Sequence, residues 1–393
     1  MQLRDKIGLF RDFVYYKSRA FFRRPRVEKA HKERILVVRL DRIGDFALYA
    51  PFAKGLRKIY PKERYTLTLL GRSLWLDLAR TLDFDSYEEL DPDKFLADSN
   101  YRSGKLKWVA AQKFDLLLQP RFYREILVED LIALVADAPR SVAFASTTRH
   151  LQPHLMRYSD RIYTELLDSG ELLNTHELIR NLVFLKYLAP ELSRIENPWK
   201  THSPTPPLLS KASPYVVFLP GSGKGKELIY PPENFGELAQ KLEDRGFSIV
   251  VCGTADESPL SATLLRACRS PQYDLTGEQN ITEFAATLAN ATMIVGNDTG
   301  GIHIGAMSKV PTLAVVGGGQ PRIFLPYPDS ASELLGITPP IVVNRSCQYS
   351  GCNFNCRFSG ENSYECIRKI PVAQIEEELF RLYCSLGNQG TLR

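Results

Sequence analysis

Hydrophobic positions along this chain follow two rhythms, and their alternation sets the first expectation. Short unbroken apolar runs, such as Ile35-Leu36-Val37-Val38 and Met293-Ile294-Val295, have the length and β-branched content of buried strands. Between them lie longer stretches with apolar residues at helical spacing, ended by Pro or Gly. Strands are expected at 35–40, 65–70, 115–119 and 141–144, with helices over 46–60, 73–82, 104–113, 125–136 and 172–188. Residues 146–169 read as irregular, because Pro153 argues against a helix there. After a stretch rich in Pro, Ser and Thr at 190–214, the alternation restarts. Strands are expected at 215–219, 248–252, 273–275, 293–296 and 312–316, with helices over 233–245, 260–269, 281–290 and 299–308. A last amphipathic helix, over 372–386, opens after Pro371 and shows Val372, Ile375, Leu379 and Leu382 on one face. Strands interleaved with helices imply doubly wound parallel sheets, and the repeated pattern implies two Rossmann-like α/β domains facing a cleft. The expected division is an extension over 1–30, a domain over 31–195, a linker over 196–214, a domain over 215–370 and a closing helix over 371–393.

Residues 1–24 break the pattern. Leu3, Ile7, Phe10, Val14 and Phe21 fall near helical spacing, with aromatic neighbours and basic residues in the gaps. Two readings fit: an amphipathic helix on an anionic membrane surface, or a terminal helix packed on its own domain with a solvated basic face. Charge sharpens this. The 393-residue chain carries a formal +5, and nine Lys/Arg against three acids in residues 1–30 account for all of the excess. No diffuse basic surface remains elsewhere, so a nucleic-acid partner is not expected. No apolar stretch is long enough to span a bilayer, and no signal-peptide pattern opens the chain. The expected location is the cytoplasm, peripheral on the inner membrane if 1–24 binds lipid. The seven Cys should there be mostly reduced.

Candidate chemistry concentrates where strands run into Gly-containing turns. In Val295-Gly296-Asn297-Asp298-Thr299-Gly300-Gly301-Ile302-His303, a strand ends in Asn-Asp and a helix begins at Thr299-Gly300. Small residues there let backbone N–H groups approach a ligand, and a helix N-terminus favours an anion. His303 lies one turn on, on the side of Thr299. This suits a diphosphate; the alternative is an ordinary turn capped by Asp or Thr. Asp45, after Gly44 and the first strand, is either a general base for a hydroxyl nucleophile or an N-cap. The loop 220–226 offers Ser222, Lys224 and Lys226 to a phosphate, or is a surface turn; it matches neither a Walker loop nor G-x-G-x-x-G. Gly317-Gly318-Gly319 is a further close-approach loop. His150 and His154 have no third ligand near and read as surface histidines. Cys347, Cys352, Cys356 and Cys366 fall within twenty residues. They read as a structural zinc or iron site, as reduced packing residues, or as disulfides in an oxidising compartment.

Taken together, these stretches resemble the lipopolysaccharide heptosyltransferases, glycosyltransferase family 9. The resemblance rests on residues 35–45 (ILVVRLDRIGD), 217–239, Leu275-Thr276-Gly277 followed by Ile281-Thr282-Glu283, 295–306 (VGNDTGGIHIGA) and the Cys-containing tail before Ile370-Pro371. It implies a GT-B fold and an inverting, metal-independent transfer from a nucleotide sugar, typically ADP-heptose, to a lipid-linked or glycan acceptor. It also implies that Asp45 is the general base, that Asp298, Thr299, Gly300 and His303, with Gly44 and Gly301 beside them, bind the sugar and diphosphate, and that Leu275, Thr276 and Gly277 receive the nucleoside. No cofactor is implied for catalysis. The chain departs from the family where a Lys commonly stands before the Pro that opens the loop's helix: Leu228 and Ile229 precede Pro231 and Pro232 here, with Lys224 and Lys226 upstream. Two rival readings keep the same plan. One is a nucleotide-sugar epimerase or hydrolase, which would turn over without an acceptor; the other is a catalytically degenerate binding protein, for which the absent Lys speaks.

Overall fold

The computed structural model describes residues 32–192, 195–196, 206–212, 214–223, 225, 228–269, 273–360 and 363–387. The expectations for residues 1–24 and for Lys224 and Lys226 lie outside the described residues. The chain forms two compact units. One holds the described residues up to 42 with 49–175 and 179–196; the other holds 43–48, 176–178 and the described residues from 206 onward.

The first unit is built on a six-stranded sheet in the order β3-β2-β1-β4-β5-β6, with every pairing parallel. Its strands are β1 (Glu33–Arg39), β2 (Tyr65–Gly71), β3 (Ser86–Glu89), β4 (Leu116–Gln119), β5 (Arg140–Phe144) and β6 (Glu165–Leu167). Ile35, Leu36, Val37 and Val38 are buried, as an unbroken apolar run in a central parallel strand should be. Helix α1 (Ile43–Ile59) leaves β1 through Asp41-Arg42. Leu36, Val38, Leu70, Leu117, Leu131 and Ile132 make one continuous core.

The second unit repeats the plan with the order β12-β11-β10-β7-β8-β9, again parallel throughout. Its strands are β7 (Tyr215–Leu219), β8 (Ser248–Val251), β9 (Tyr273–Asp274), β10 (Met293–Asn297), β11 (Thr312–Val315) and β12 (Ile341–Val343). In each sheet the chain winds outward, then returns to the other side of its first strand. The reversal falls between β1 and β4 in one unit and between β7 and β10 in the other. Ligands of open α/β sheets lie outside the carboxyl ends of strands at such reversals.

Several expectations are corrected. The segment 146–169 is ordered: α2 (Pro153–Asp160) starts on Pro153, because a first-turn Pro lacks only an N–H that has no helical partner anyway. The strand β6 follows it. The strands β3 and β12 and the helix Asp329–Leu335 had not been expected. The missed strands β3, β6 and β12 are all sheet edges: β3 reads Ser-Tyr-Glu-Glu, with no apolar run, and β6 and β12 are only three residues long. α3 (Glu177–Leu188) starts five residues after the expected position. The closing helix α4 (Val372–Gly387) buries Ile375, Leu379 and Leu382 in the second unit's packing, and Glu376 accepts from Lys241 at 2.7 Å.

Candidate active site

The reversal point of the second sheet gathers most of the residues singled out above. β7 feeds the loop that begins Pro220-Gly221-Ser222, and β10 feeds Asp298-Thr299 and then α5, which we count from Gly300 to Met307. Asn297, fully buried, joins the two: its Nδ2 donates to the Pro220 carbonyl at 2.7 Å and its Oδ1 accepts from the Tyr230 N–H at 3.0 Å. Sequence reasoning overlooked this brace, which holds both loops to one strand end. Thr299 has the extended backbone of an N-cap, yet its side chain makes no capping bond. Of the two capping residues the turn offers, Thr299 is thus not used as a side-chain cap.

His303 is 3% exposed, and its surroundings are specific. Its Nδ1 lies 2.8 Å from the Tyr327 hydroxyl, and its Nε2 lies 3.9 Å from Asp298 Oδ1. The segment 43–48, which belongs to this unit, supplies the remaining wall. A Cβ added to Gly44 would stand 3.0 Å from His303 Cδ2, and one added to Gly300 would stand 2.7 Å from Ile43 Cγ2. A side chain at Gly300 would clash with Ile43, and one at Gly44 would crowd the His303 ring. Asp45 follows directly, inside the first turn of α1; the N-cap position is Arg42, without a side-chain cap bond. The N-cap alternative for Asp45 is thus excluded. Gly44, Asp45, Asp298, Thr299, Gly300, Gly301 and His303 are brought into one neighbourhood.

Leu275, Thr276 and Gly277 follow β9 at the far end of the same sheet edge. The Leu275 and Gly277 N–H groups bond the Val251 and Gly253 carbonyls at 2.9 Å each, so this turn is laid against the end of β8. Gly277 has φ +80°, a left-handed backbone that suits glycine. The Thr276 hydroxyl is buried without a partner among the described residues. Glu257 packs its carboxylate over Gly221 and Gly253, leaving no room for a side chain at Gly221, and accepts from the Thr254 N–H at 2.9 Å. No spacing rule pointed to Glu257; its role comes from the capping box that turns it inward.

Other candidates fall elsewhere. Leu228, at the expected Lys position, is buried and lines a cavity with Gly318, Gly319, Tyr349, Phe354 and the four thiols of Cys347, Cys352, Cys356 and Cys366. All seven cysteines are free thiols, which removes the disulfide alternative. The Gly318 N–H donates to Cys366 Sγ at 3.5 Å and the Tyr364 N–H to Cys356 Sγ at 3.3 Å. Burial pushes the Cys366 thiol up from its ordinary range. Among the described residues, however, no three His, Cys, Asp or Glu side chains stand in an arrangement that holds an ion. The thiols share their cavity with aromatic rings and do not close into a ligand set. His154 is exposed as expected, but His150 is half-buried. Its Nδ1 meets Thr147 Oγ1 at 3.1 Å, its ring packs edge-on to Tyr123 at 5.1 Å, and its Nε2 is buried without a partner. Among the described residues no helix is long and apolar enough to cross a membrane.

Comparison with known proteins bears on the family and the fold. Residues 113–350 match the family described as glycosyltransferase family 9 (heptosyltransferase). That match includes the Asp298–His303 stretch but begins after Asp45 and ends before Cys352. The lipooligosaccharide heptosyltransferase 2 of Haemophilus influenzae is 29% identical over 123 residues, covering 30% of this chain and 36% of that enzyme. The aligned stretch thus spans about a third of the relative's own length. Among solved structures, a family 9 glycosyl transferase from Veillonella parvula superimposes with a TM-score of 0.71 at 17% identity, over 92% of this chain and 100% of the other. The E. coli ADP-heptose lps heptosyltransferase II does so with a TM-score of 0.67 at 18% identity, over 90% and 99%. The two Rossmann-like sheets are those of the GT-B fold.

Proposed function

The chain belongs to glycosyltransferase family 9, and from that premise we propose that it transfers a heptose from ADP-heptose, with inversion, to a hydroxyl of a lipopolysaccharide core or other envelope glycan. The observation that carries this reading is the seating of Gly44 against Gly300 and His303. It sets the backbone that carries Asp45 beside a helix N-terminus suited to a diphosphate. In the proposed step Asp45 takes the proton of the acceptor hydroxyl. The acceptor oxygen attacks the anomeric carbon from the face opposite the diphosphate, the bond from that carbon to the diphosphate oxygen breaks, and ADP departs with the bonding electrons. Charge growing on the departing diphosphate is met by the N-terminus of α5. No metal is assigned a part in this step. Thr276 and Glu257 are offered to the nucleoside, where a hydroxyl and a carboxylate suit hydrogen bonding to a ribose diol.

A thermal-shift panel of ADP, UDP, GDP, CDP, dTDP and ADP-heptose tests the donor. A ligand bound only by the folded state raises the melting temperature, about 2.7 kcal/mol of stability at a hundredfold excess over Kd. The expected result is a selective rise with ADP and ADP-heptose. A selective rise with another nucleotide reassigns the donor, and a flat panel removes the nucleotide-sugar reading. The epimerase or hydrolase alternative requires turnover without an acceptor, and the expected rate there is close to nil.

A further inference from the structure

His303 is held by more than a ligand-binding turn requires. The Tyr327 ring runs nearly parallel to its imidazole, with planes within 6° and centroids 5.8 Å apart, and the Tyr327 hydroxyl stands 2.8 Å from Nδ1. His176, on a segment that belongs to the same unit, meets the Tyr327 ring edge-on at 5.3 Å. The tautomer of His176 is dictated by its neighbours. The Leu178 N–H donates to Nδ1 at 3.1 Å, so the ring proton is on Nε2, which donates to the Phe324 carbonyl at 2.7 Å. The Glu177 N–H adds a bond to the Ile323 carbonyl at 2.9 Å. The stretch that carries Tyr327 is therefore tied down a few residues before the tyrosine.

Hydrogen accounting then decides His303. The buried Tyr327 hydroxyl has one hydrogen-bond partner among the described residues, His303 Nδ1. Burial, and after it the Asp298 charge, raise the phenol well above its ordinary range, so it keeps its proton. If Nδ1 also carried a proton, the phenol oxygen could accept that proton, but its own hydrogen would be left with no acceptor in a buried place. The arrangement that satisfies every atom has Tyr327 donating to a bare Nδ1. The ring proton is then on Nε2, the nitrogen that faces Asp298 at 3.9 Å. Gly44 borders this same edge, where a Cβ would stand 3.6 Å from Nε2.

We infer that Tyr327 is a positioning residue: its hydroxyl holds His303 as the neutral Nε2–H tautomer and so aims a single N–H donor, beside Asp298, at the anionic group bound at the N-terminus of α5. The identity of that group as a donor diphosphate rests on the transfer reading above; the tautomer does not. A donor aimed at a leaving group counts most when charge has built up there, so its loss should fall on kcat more than on the donor KM. Phe at 327 keeps the ring and removes the bond to Nδ1.

The full-length protein labelled with 15N-histidine gives the direct test. Long-range proton–nitrogen spectra report which ring nitrogen carries hydrogen, and the His303→Gln spectrum identifies the signals. The wild type should show Nε2–H with a bare Nδ1 at neutral pH. In Tyr327→Phe the His303 signals should move toward the other tautomer or an average of the two, while kcat falls about 10- to 100-fold and the donor KM changes little. Nδ1–H or an imidazolium in the wild type overturns the inference, and so does an unchanged His303 spectrum in Tyr327→Phe. If circular dichroism shows that this variant does not fold, the wild-type spectrum decides alone. The spectra need no substrate. A protein that fails to transfer any sugar yet shows the Nε2–H signature upholds Tyr327 and counts against the transfer reading instead.

Discussion

The carboxyl edges of the two sheets have the same topology and opposite chemistry. In the first unit the edge is occupied by the protein's own charges. Arg39 pairs with Asp41 at 2.6 Å, both nearly without exposure, and Arg121 pairs with Glu129 at 2.5 Å. Arg124, 1% exposed, donates to Asp130 at 3.0 Å, to Ser146 and Ser159 at 2.9 Å each, to Asp160 at 2.6 Å and to the Phe144 carbonyl. In the second unit the edge is built around glycines, Gly221, Gly277, Gly300 and Gly301, beside the first turn of α5. Buried charges that neutralise one another hold loops in place and leave little for a ligand. Glycines and a helix N-terminus do the reverse. Reading function from topology alone would have given both edges equal weight; the chemistry separates them.

The largest effect expected from this contrast is at Asp45. Asp45→Asn keeps the shape of the first turn of α1 and removes the proton acceptor, so transfer should fall by about 10²- to 10⁴-fold with the fold and nucleotide affinity kept. Near wild-type turnover in that variant would sink the assignment of the base. Next comes the self-neutralised edge. Arg124→Met strands Asp130, a carboxylate already raised above its ordinary range by burial, and should cost about 3–5 kcal/mol in denaturant unfolding. ADP affinity of the folded variant should stay as it is. A stability loss under about 1 kcal/mol would show that the network is ornamental.

The smallest effect concerns His150, next to that network. Burial first, and then the charges of Arg124 and Arg121, push its ring down to about 4 from an ordinary 6.5. The unfolded chain therefore takes up the proton before the folded one does. The contribution of His150 to stability is whole above pH 6.5 and is lost as pH falls from there toward 4. His150→Gln should flatten the stability profile in that window, as measured by urea midpoints; parallel profiles for the two proteins would refute the shift.

Much of this was legible in the residues. Unbroken apolar runs marked β1, β4, β7, β10 and β11, and the small residues after β10 marked the candidate ligand turn. What escaped depended on partners far along the chain. The edge strand β3 is polar in sequence and takes its place through Tyr65–Gly71 and a Thr68–Ser86 hydroxyl bond of 2.8 Å. α2 was hidden by Pro153, although Arg124, more than thirty residues earlier, fastens Ser159 and Asp160 at its end. Leu228 looked like a gap in a phosphate site, and its side chain in fact belongs to the wall of the thiol cavity.

By itself, then, the sequence determined the strand–helix alternation, the two parallel sheets and the residue types that ring the α5 N-terminus, because periodicity and backbone permissiveness are local properties. Tertiary structure alone decided that Gly44 meets His303, that Asn297 braces two loops, that Glu257 turns over Gly221 and that Tyr327 reaches Nδ1 of His303. Those contacts join residues from tens to hundreds of positions apart, and no local propensity encodes the closeness of two side chains that only a finished sheet brings together.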